Sequence, residues 1–417
     1  MFRFDFDIDD AEEQGDLQHD TPGTSQDVVE SGSASQAAVK ESAEHSIEDL
    51  LSNHPPSISF SPLSIRTSSR NADSLTLARR DLFDARFQLI SSEPDDSAQA
   101  GVESPSEDAL GFLDAPSDLV PGIYEGGLKT WECSIDLAEC LHERLGDDPG
   151  GRLREKKILE LGCGTAVPSL YVLHQLLSAP PPVDNAQETS VVLQDYNELV
   201  LRLVTLPNVI LTWYMSPASL RFRASFQPST TDPEVEEEPL PPADPTEPGS
   251  LPFSPQLIAA FLASLEEHRI SIRFFCGSWE AFDVERAGGP FDVVLTSETI
   301  YRPESLPALV RVMREACARE RAGGLEEETA RMAIRDGADV GEGADAVPYL
   351  CLVAAKRVYF GVGGGVAEFV KAVEQYSRAT GTGVASSYSQ EVSARAKVET
   401  VWEFTEGVKR IVMRVLW

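Results

Sequence analysis

Short apolar runs alternate with amphipathic segments along the chain from residue 124 to its end. Five of the runs predict strands, at 157–161, 191–193, 270–275, 291–296 and 349–354. Five segments repeat apolar residues every three or four positions and predict helices, at 134–145, 167–177, 256–267, 306–315 and 366–376. Two alternating stretches, 394–404 and 410–416, close the sequence with no helix between them. This order predicts an α/β fold: a Rossmann-like, seven-stranded, mostly parallel sheet with an antiparallel C-terminal edge strand and helices on both faces.

The first 117 residues have a different composition, with 24 Asp or Glu against seven Lys or Arg. A segment this polar buries too little apolar surface to offset the entropy of ordering it. We therefore expect residues 1–117 to form a disordered acidic region and residues 118–417 to form the folded domain. Insertions are expected within that domain at about 213–268 and 318–346. In the first of them, residues 228–255 hold nine prolines, seven acids and no base.

The net charge of −33 argues against general nucleic-acid binding, which needs clustered Lys and Arg. The charge suits a basic partner protein or simply a solvated tail. Six cysteines without a CxxC pair indicate a reducing compartment. The histidines form no metal-like cluster, so no metal site is expected. With no apolar run of 18 residues and an acidic, non-hydrophobic N-terminus, the sequence predicts a cytoplasmic or nuclear protein that binds no membrane.

The loop after the first predicted strand carries the first candidate chemistry, in "ILELGCGTAVPSL" (158–170). Gly162 and Gly164 allow a sharp turn and a close approach to a ligand. A dinucleotide fingerprint needs a third glycine where Val167 stands, and a phosphate-binding P-loop needs a Gly-Lys-Ser/Thr ending that is absent. "ELGCG" matches the E/D-x-G-x-G pattern of S-adenosylmethionine sites, while a plain strand-to-helix turn is the simpler alternative.

The ends of the later strands supply the other candidates, because ligands of such sheets bind beyond the carboxyl ends of the strands. Asp195, after the second strand, could accept hydrogen bonds from both ribose hydroxyls of an adenosine. Trp279 and Ser278 could stack on adenine and bond its edge. Glu298 and Tyr301 would place a carboxylate and a phenol where the methyl group is transferred. Each of these residues has a plainer alternative, as a core aromatic or a solvated turn residue.

Several motifs in this order resemble the histidine protein methyltransferases, which belong to the seven-β-strand class of S-adenosylmethionine-dependent enzymes. They are "YEGGLKTWECS", "ELGCGTAVPSL", "QDYNELVL", "TLPNV", "CGSWEAF", "TSETIY" and "KRVYFGVGGGVAEF". The resemblance covers residues 118–417 without the two insertions. It implies transfer of one methyl group to the tele nitrogen of a histidine in a large-subunit ribosomal protein, by a chain that we expect to be a monomer.

The resemblance also implies a set of cofactor contacts, by motif match. These are Trp131, Glu132, Cys133, Gly162, Asp195, Tyr196, Asn197, Ser278, Trp279 and Ser297. The segment "PGIYEGGLKTWECS" (121–134) is then expected to be a flap across the cofactor cleft, with its tryptophan and adjacent glutamate over the methionine end.

The chemistry of a histidine substrate sets modest demands on the protein. An imidazole with a pKa near 6.5 is mostly neutral at pH 7, so a dedicated base is not obligatory. Glu298 is the candidate acceptor that fixes the imidazole tautomer, with Tyr301 and the loop 359–365 shaping the mouth of the site. Two alternatives remain at this stage: a lysine methyltransferase of the same fold, and a non-catalytic module that binds ribosomal proteins.

Overall fold

The computed structural model describes residues 39–52, 54–67, 74–91, 127–183, 185–226, 240–318, 348–359, 363–380 and 396–417. In chain order the strands are β1 (Ala43–His45), β2 (Ser57–Arg66), β3 (Ser74–Arg80), β4 (Lys157–Leu161), β5 (Thr189–Asp195), β6 (Gly249–Pro252), β7 (Ile270–Cys276), β8 (Val293–Ser297), β9 (Leu350–Lys356), β10 (Lys397–Phe404) and β11 (Arg410–Leu416).

The α-helices are α1 (Ile47–Leu51), α2 (Leu82–Ser91), α3 (Glu132–Leu145), α4 (Pro149–Leu153), α5 (Val167–Ser178), α6 (Glu198–Val200), α7 (Leu206–Met215), α8 (Leu220–Ser225), α9 (Pro255–Glu267), α10 (Leu306–Cys317) and α11 (Val366–Thr380). A π-helical turn, Leu201–Thr205, joins α6 to α7, and a 3₁₀ turn, Pro217–Ser219, precedes α8. No single helix among the described residues is long and apolar enough to cross a membrane, and one pair of helical segments bent by 75° meets the length and composition criteria only.

The large sheet contains all seven predicted strands and confirms the predicted fold class. Its order is β1-β7-β5-β4-β8-β9-β11-β10. The pairs from β7 to β9 are parallel, and β11 runs antiparallel to both β9 and β10. At the C-terminal end of the sheet, the antiparallel strand β11 therefore lies one place inside the edge. The reason is that the short connection after β10 folds β11 back along it, and β11 then pairs with β9 on its other side.

Helices cover both faces of the sheet. Successive side chains of a strand point to opposite faces, so strands made of apolar residues need cover on both. On one face Leu137, Leu170 and Val209 of α3, α5 and α7 belong to one buried apolar cluster. On the other face Leu309 and Phe369 of α10 and α11 belong to a second. The centre of the sheet is thus shielded from water, and its ligand-binding edge at the carboxyl ends of the strands is where polar side chains collect.

Residues 43–91 differ from the expectation that the folded domain begins at residue 118. β1 is an edge strand of the large sheet, and β2 and β3 form a smaller antiparallel sheet with β6. Ile58 and Phe60 are buried at alternating positions in the first half of β2, and Leu63 and Ile65 in the second half, so each half has the apolar periodicity of a half-buried strand. The acidic composition averaged over 117 residues hid that pattern. One compact unit spans Val39–Trp417, and residues 1–38 lie outside the described residues.

The first expected insertion also contributes to the fold. α7 runs to Met215, and β6 and α9 lie within 213–268. Gly249 of β6 faces Phe60 of β2, where a Cβ atom would lie 2.7 Å from the ring. The second insertion lies outside the described residues from 319 to 347.

Candidate active site

The loop after β4 turns sharply because two glycines adopt left-handed backbone conformations, with φ of +61° at Gly162 and +52° at Gly164. A Cβ atom on Gly162 would lie 2.6 Å from Thr299 Cγ2 and 3.6 Å from Trp279 Cζ2. A Cβ atom on Gly164 would lie 3.2 Å from the carbonyl oxygen of Gly127. The glycines therefore let three other segments approach the turn, and the predicted cofactor loop is the centre of a crowded site.

Asp195 ends β5 next to this loop with its carboxylate held by backbone groups. Gly164 N–H donates to Oδ2 at 2.9 Å and Asn197 N–H donates to Oδ1 at 3.0 Å. Burial raises the pKa of Asp195 to about 6, opposed first by these backbone donors and then by the Lys40 ammonium. The Tyr196 backbone N–H is a third donor to the carboxylate, which has about four lone-pair sites, so at least one site stays open to a ligand hydroxyl.

Glu160 is the acid of the E-x-G-x-G pattern, and it is fully buried in β4. Ser169 N–H at the start of α5 donates to its Oε2 at 3.0 Å, while Oε1 has no hydrogen-bond partner among the described residues. Burial raises the pKa of Glu160 to about 8. Buried polar atoms of proteins are normally hydrogen-bonded. A polar group of a ligand at the glycine turn would supply the partner that Oε1 lacks.

Gln194 has no role in the sequence predictions, yet it joins three parts of the site. Its Oε1 accepts from Gly162 N–H at 3.3 Å and from the Trp279 indole N–H at 2.8 Å. Its Nε2 donates to the carbonyl oxygen of Gly277 at 2.8 Å. The amide therefore fixes the Trp279 indole beside the glycine turn. The only signal in the sequence was a polar residue at the end of an apolar strand.

Thr205 and Asn208 donate hydrogen bonds to backbone carbonyl oxygens of the glycine loop, and neither residue was predicted to lie at the site. The Thr205 hydroxyl donates to the carbonyl oxygen of Gly164 at 2.6 Å. The Asn208 side chain donates to the carbonyl oxygen of Thr165 at 3.1 Å and accepts from Arg80 N–H at 2.8 Å. Thr205 ends the π-helical turn, a deviation that often marks functional positions in helices. The motif "TLPNV" contains both residues, so their proximity in sequence was the available signal.

The segment before α3 crosses the site, as far as the structure describes it. Gly127 lies against Gly164, and the Thr130 and Thr165 hydroxyls are 3.0 Å apart. Leu128 is buried. Residues 121–126 of the expected flap lie outside the described residues. Gly127 and Thr130 therefore lie against the glycine loop, and the role of this segment as a flap over a cofactor stays a prediction.

Trp131 and Glu132 meet Glu298 through a lysine that the sequence did not single out. Lys356, at the end of β9, places its Nζ 4.8 Å from the Trp131 ring centroid. The same Nζ lies 3.6 Å from a carboxylate oxygen of Glu132 and 3.6 Å from Oε1 of Glu298. Tyr359 donates its hydroxyl to Oε2 of Glu298 at 2.7 Å. These contacts form a closed cluster, the Lys356 cluster, over the ends of β8 and β9.

Glu298 follows β8 and has an uncommon backbone conformation for a residue with a side chain. Its φ is +56°, and its N–H donates to the Ala354 carbonyl oxygen at 3.0 Å. Its side chain is 8% exposed, and its Oε1 has no hydrogen-bond partner among the described residues. A strained, buried carboxylate at a strand end is a functional candidate on physical grounds.

Three further predicted residues surround this cluster. Burial, and then the charge of Glu298, raise the pKa of the Cys133 thiol, so the thiol stays protonated. Ser297 is buried at the end of β8, directly before Glu298. The Tyr301 ring centroid lies 6.4 Å from that of Tyr359. All three lie at the end of the site where Trp131 and Glu298 meet.

Ser278, Tyr196 and Asn197 collect at the other end of the site, next to Asp195. Their main contact is Lys40, which precedes β1. The Ser278 hydroxyl donates to the Lys40 carbonyl oxygen at 3.0 Å. The Ser278 proton is thus already used, and the hydroxyl can offer a ligand only a lone pair. This departs from a serine free to donate to an adenine edge, because the N-terminal strand was not expected here.

Two curated proteins are similar in sequence to this chain over 70% of its length. Histidine protein methyltransferase 1 of Schizosaccharomyces pombe is 34% identical over 299 residues, which is 70% of this chain and 68% of that protein. Histidine protein methyltransferase 1 of Saccharomyces cerevisiae is 33% identical over 301 residues, 70% of this chain and 67% of that protein. The chain belongs to the histidine protein methyltransferase 1 family. No protein-family model matches the sequence.

Solved structures resemble this member of the histidine protein methyltransferase 1 family only distantly. Magnesium protoporphyrin IX methyltransferase from Synechocystis PCC 6803, a structure with bound SAH, has a TM-score of 0.28 and 9% identity, over 79% of this chain and 91% of that chain. A likeness this weak supports no conclusion about the site.

As a member of the histidine protein methyltransferase 1 family, the chain is an enzyme that methylates histidine in a protein substrate, and its methyl donor is S-adenosylmethionine. The residues present fit this cofactor. Asp195 offers a carboxylate acceptor for a ribose hydroxyl, Glu160 offers a carboxyl oxygen without a hydrogen-bond partner among the described residues, and the glycine turn leaves backbone without side chains. Bound there, the cofactor supplies an electrophilic methyl group, and the protein supplies alignment and exclusion of water.

Proposed function

We propose that the enzyme methylates the tele nitrogen of a histidine in a large-subunit ribosomal protein. Membership of the histidine protein methyltransferase 1 family carries the histidine part of this proposal. The charge supports the substrate class. Ribosomal proteins are basic, and a chain with a net charge of −33 attracts a basic partner over a distance and speeds its encounter.

The Lys356 cluster supports the choice of nitrogen. A histidine side chain has one nitrogen that attacks and one that carries a proton when the ring is neutral. We place Oε1 of Glu298, which has no hydrogen-bond partner among the described residues and forms an ion pair with Lys356, as the acceptor for the N–H at the pros position. This leaves the tele nitrogen with its lone pair toward the methyl group.

Charge balance in the transfer needs only one proton acceptor. The bound cofactor would supply its methyl group to the tele nitrogen, its sulfur would leave as a neutral thioether, and the methylated ring would carry the positive charge. The proton on the pros nitrogen can then pass to Glu298 or to solvent. Tyr359, which donates to the other oxygen of Glu298, holds the carboxylate in place during this step.

The substrate is tested with purified full-length enzyme, labelled S-adenosylmethionine and ribosomes that lack the modification. We expect label in one large-subunit protein, and tele-methylhistidine after hydrolysis. Methyllysine, or label confined to small-subunit proteins, would contradict the proposal. Isolated ribosomal proteins in parallel show whether the substrate is the free protein or the assembled particle.

The role of Glu298 is tested by Glu298→Gln, which keeps the shape but lets the amide present an N–H. We expect turnover to fall by roughly two orders of magnitude, the range of positioned acid–base groups, with cofactor affinity unchanged. Glu374→Gln on α11, where Glu374 pairs with Arg378, is the matched control. Full activity of Glu298→Gln at pH 7 would exclude the tautomer role.

We further propose that the enzyme works as a monomer in the cytoplasm and nucleus. All six cysteines are free and buried, which suits a reducing compartment. Sedimentation of the purified protein and imaging of the tagged full-length chain test the two statements separately.

A further inference from the structure

The segment Val39–His45, here called the N-terminal strap, lies along the outer edge of the large sheet. Its β1 portion pairs antiparallel with β7, from Ala43 opposite Cys276 to His45 opposite Phe274. Because the two strands run in opposite directions, the residues before Ala43 continue past the carboxyl end of β7. Lys40 therefore lies at the ligand-binding edge of the sheet.

Lys40 contacts three of the residues assigned to the nucleoside end of the site. Its carbonyl oxygen accepts from Ser278 N–H at 3.1 Å and from the Ser278 hydroxyl at 3.0 Å. Its Nζ donates to Asn197 Oδ1 at 3.4 Å and lies 4.7 Å from the Tyr196 ring centroid. The ammonium is half-buried and also lowers the pKa of the Asp195 carboxyl against the effect of burial.

The strap is docked specifically and does not merely lie nearby. Gly277 has φ of +109°, and a Cβ atom there would lie 2.2 Å from the carbonyl oxygen of Glu41. The Glu44 carboxylate accepts two hydrogen bonds from Arg273, at 2.7 and 2.9 Å. The backbone is thus held at Lys40 by Ser278 and directly after Lys40 by the contacts of Glu41 and Glu44, which keeps the ammonium at the site.

We infer that the N-terminal strap is the outer wall of the nucleoside subsite and that Lys40 is a cofactor-binding residue of this enzyme. The inference rests on the nucleoside subsite assigned above around Asp195. It means that methyl-donor binding depends on residues far upstream of the glycine loop. The chemical class recognised is an adenine nucleoside, whose ribose and ring acceptors a lysine ammonium can bond.

The test is calorimetric binding of S-adenosylhomocysteine to the full-length protein. We expect Lys40→Met to weaken binding by about tenfold, the effect of one hydrogen bond from a charged donor. Lys40→Arg, which keeps the charge, should bind within about threefold of the wild type. Lys371→Met, an exposed lysine on α11, is the matched control and should leave the affinity unchanged. Equal affinity of Lys40→Met and wild type would overturn the inference.

Two further measurements separate this inference from its premises. Gly277→Ala displaces the strap without altering Lys40, and it should weaken binding by at least as much as Lys40→Met. In the wild type, S-adenosylhomocysteine should slow amide exchange of residues 42–45, and unchanged exchange rates would overturn the inference even if a variant misfolds. If Asp195→Asn binds as the wild type does, the subsite assignment fails first and this inference falls with it. None of these results depends on the identity of the methylated protein.

Discussion

Asp195→Asn separates the stability of this enzyme from its cofactor binding. The wild-type carboxylate is buried with a pKa raised from 3.8 to about 6. The shift of about two units corresponds to a cost of roughly 3 kcal/mol when the group is ionised in the folded chain at pH 7.5. The amide removes that cost, but it turns one acceptor into a donor facing Gly164 or Asn197, which costs about 1–3 kcal/mol. The two effects nearly cancel.

We therefore expect the melting temperature of the unliganded variant to lie within about 3 °C of the wild type. Cofactor binding should behave differently. Loss of the charged acceptor for a ribose hydroxyl costs up to about 3 kcal/mol, which is on the order of a hundredfold in the dissociation constant. Calorimetry with S-adenosylhomocysteine at pH 7.5 measures it, and scanning calorimetry gives the melting temperature. Asp148→Asn, which changes only the cap of α4, is the control.

The pH dependence supplies a second, independent readout. Because the folded pKa of Asp195 is raised, its proton is bound more tightly in the folded chain than in the unfolded chain. The group costs no stability below about pH 4, costs progressively more as the pH rises to about 6, and then costs a constant amount. Wild-type affinity for S-adenosylhomocysteine should fall by up to tenfold per unit below pH 6. The charged and titratable groups facing Asp195 are Lys40, Glu160, Cys163 and Cys276.

The reasoning would be refuted by either of two results. An Asp195→Asn affinity within about threefold of the wild type at pH 7.5 would show that this carboxylate does not hold the ribose. A wild-type affinity that is flat between pH 5 and 7.5 would show that its titration does not govern binding. A large fall in melting temperature for the variant would contradict the cancellation of the two energies.

Three further substitutions test the supports of the site. Gly162→Ala should destabilise the protein by about 2 kcal/mol or more and weaken cofactor binding, because the new methyl group meets Thr299 Cγ2. Adding Thr299→Ser removes that methyl carbon and should restore part of the loss. Additive effects in the double mutant would disprove the clash. Thr205→Val should cost about 1–3 kcal/mol in denaturant unfolding by leaving the Gly164 carbonyl oxygen unpaired, with Thr205→Ser as control. Lys356→Met should lower turnover about tenfold by releasing the Trp131 segment from Glu298, and an unchanged rate would show that the cluster is only structural.

The sequence predicted the large sheet well, because its strands and helices can be recognised from the pattern of neighbouring residues. The run 157–161 and the helical spacing of 134–145 each need only neighbouring residues to be recognised. Asp195 and the glycine turn were also predictable, since strand-end position in a parallel sheet implies their meeting.

Residues that act across the sequence were not predictable in the same way. Gln194, Thr205 and Lys356 are polar residues inside or beside apolar elements, and their partners belong to other loops. The position of Lys40 depends on the pairing of β1 with β7. This pairing was not predictable, because β1 has only three residues and gives little local signal. Composition averaged over a long acidic region concealed β2 and β3, although each has alternating apolar positions.

The strand pairing of the small sheet has a consequence for the synthesis of the protein on the ribosome. β2 and β3 are neighbours in sequence and can form a hairpin soon after they emerge, but the second edge of β2 pairs with β6, and Ser57 lies opposite Pro252. At a synthesis rate of 5–20 residues per second, roughly ten to forty seconds pass before that partner exists. During this interval the nascent chain carries an unpaired β-edge, which makes it a substrate for chaperones that shield such edges.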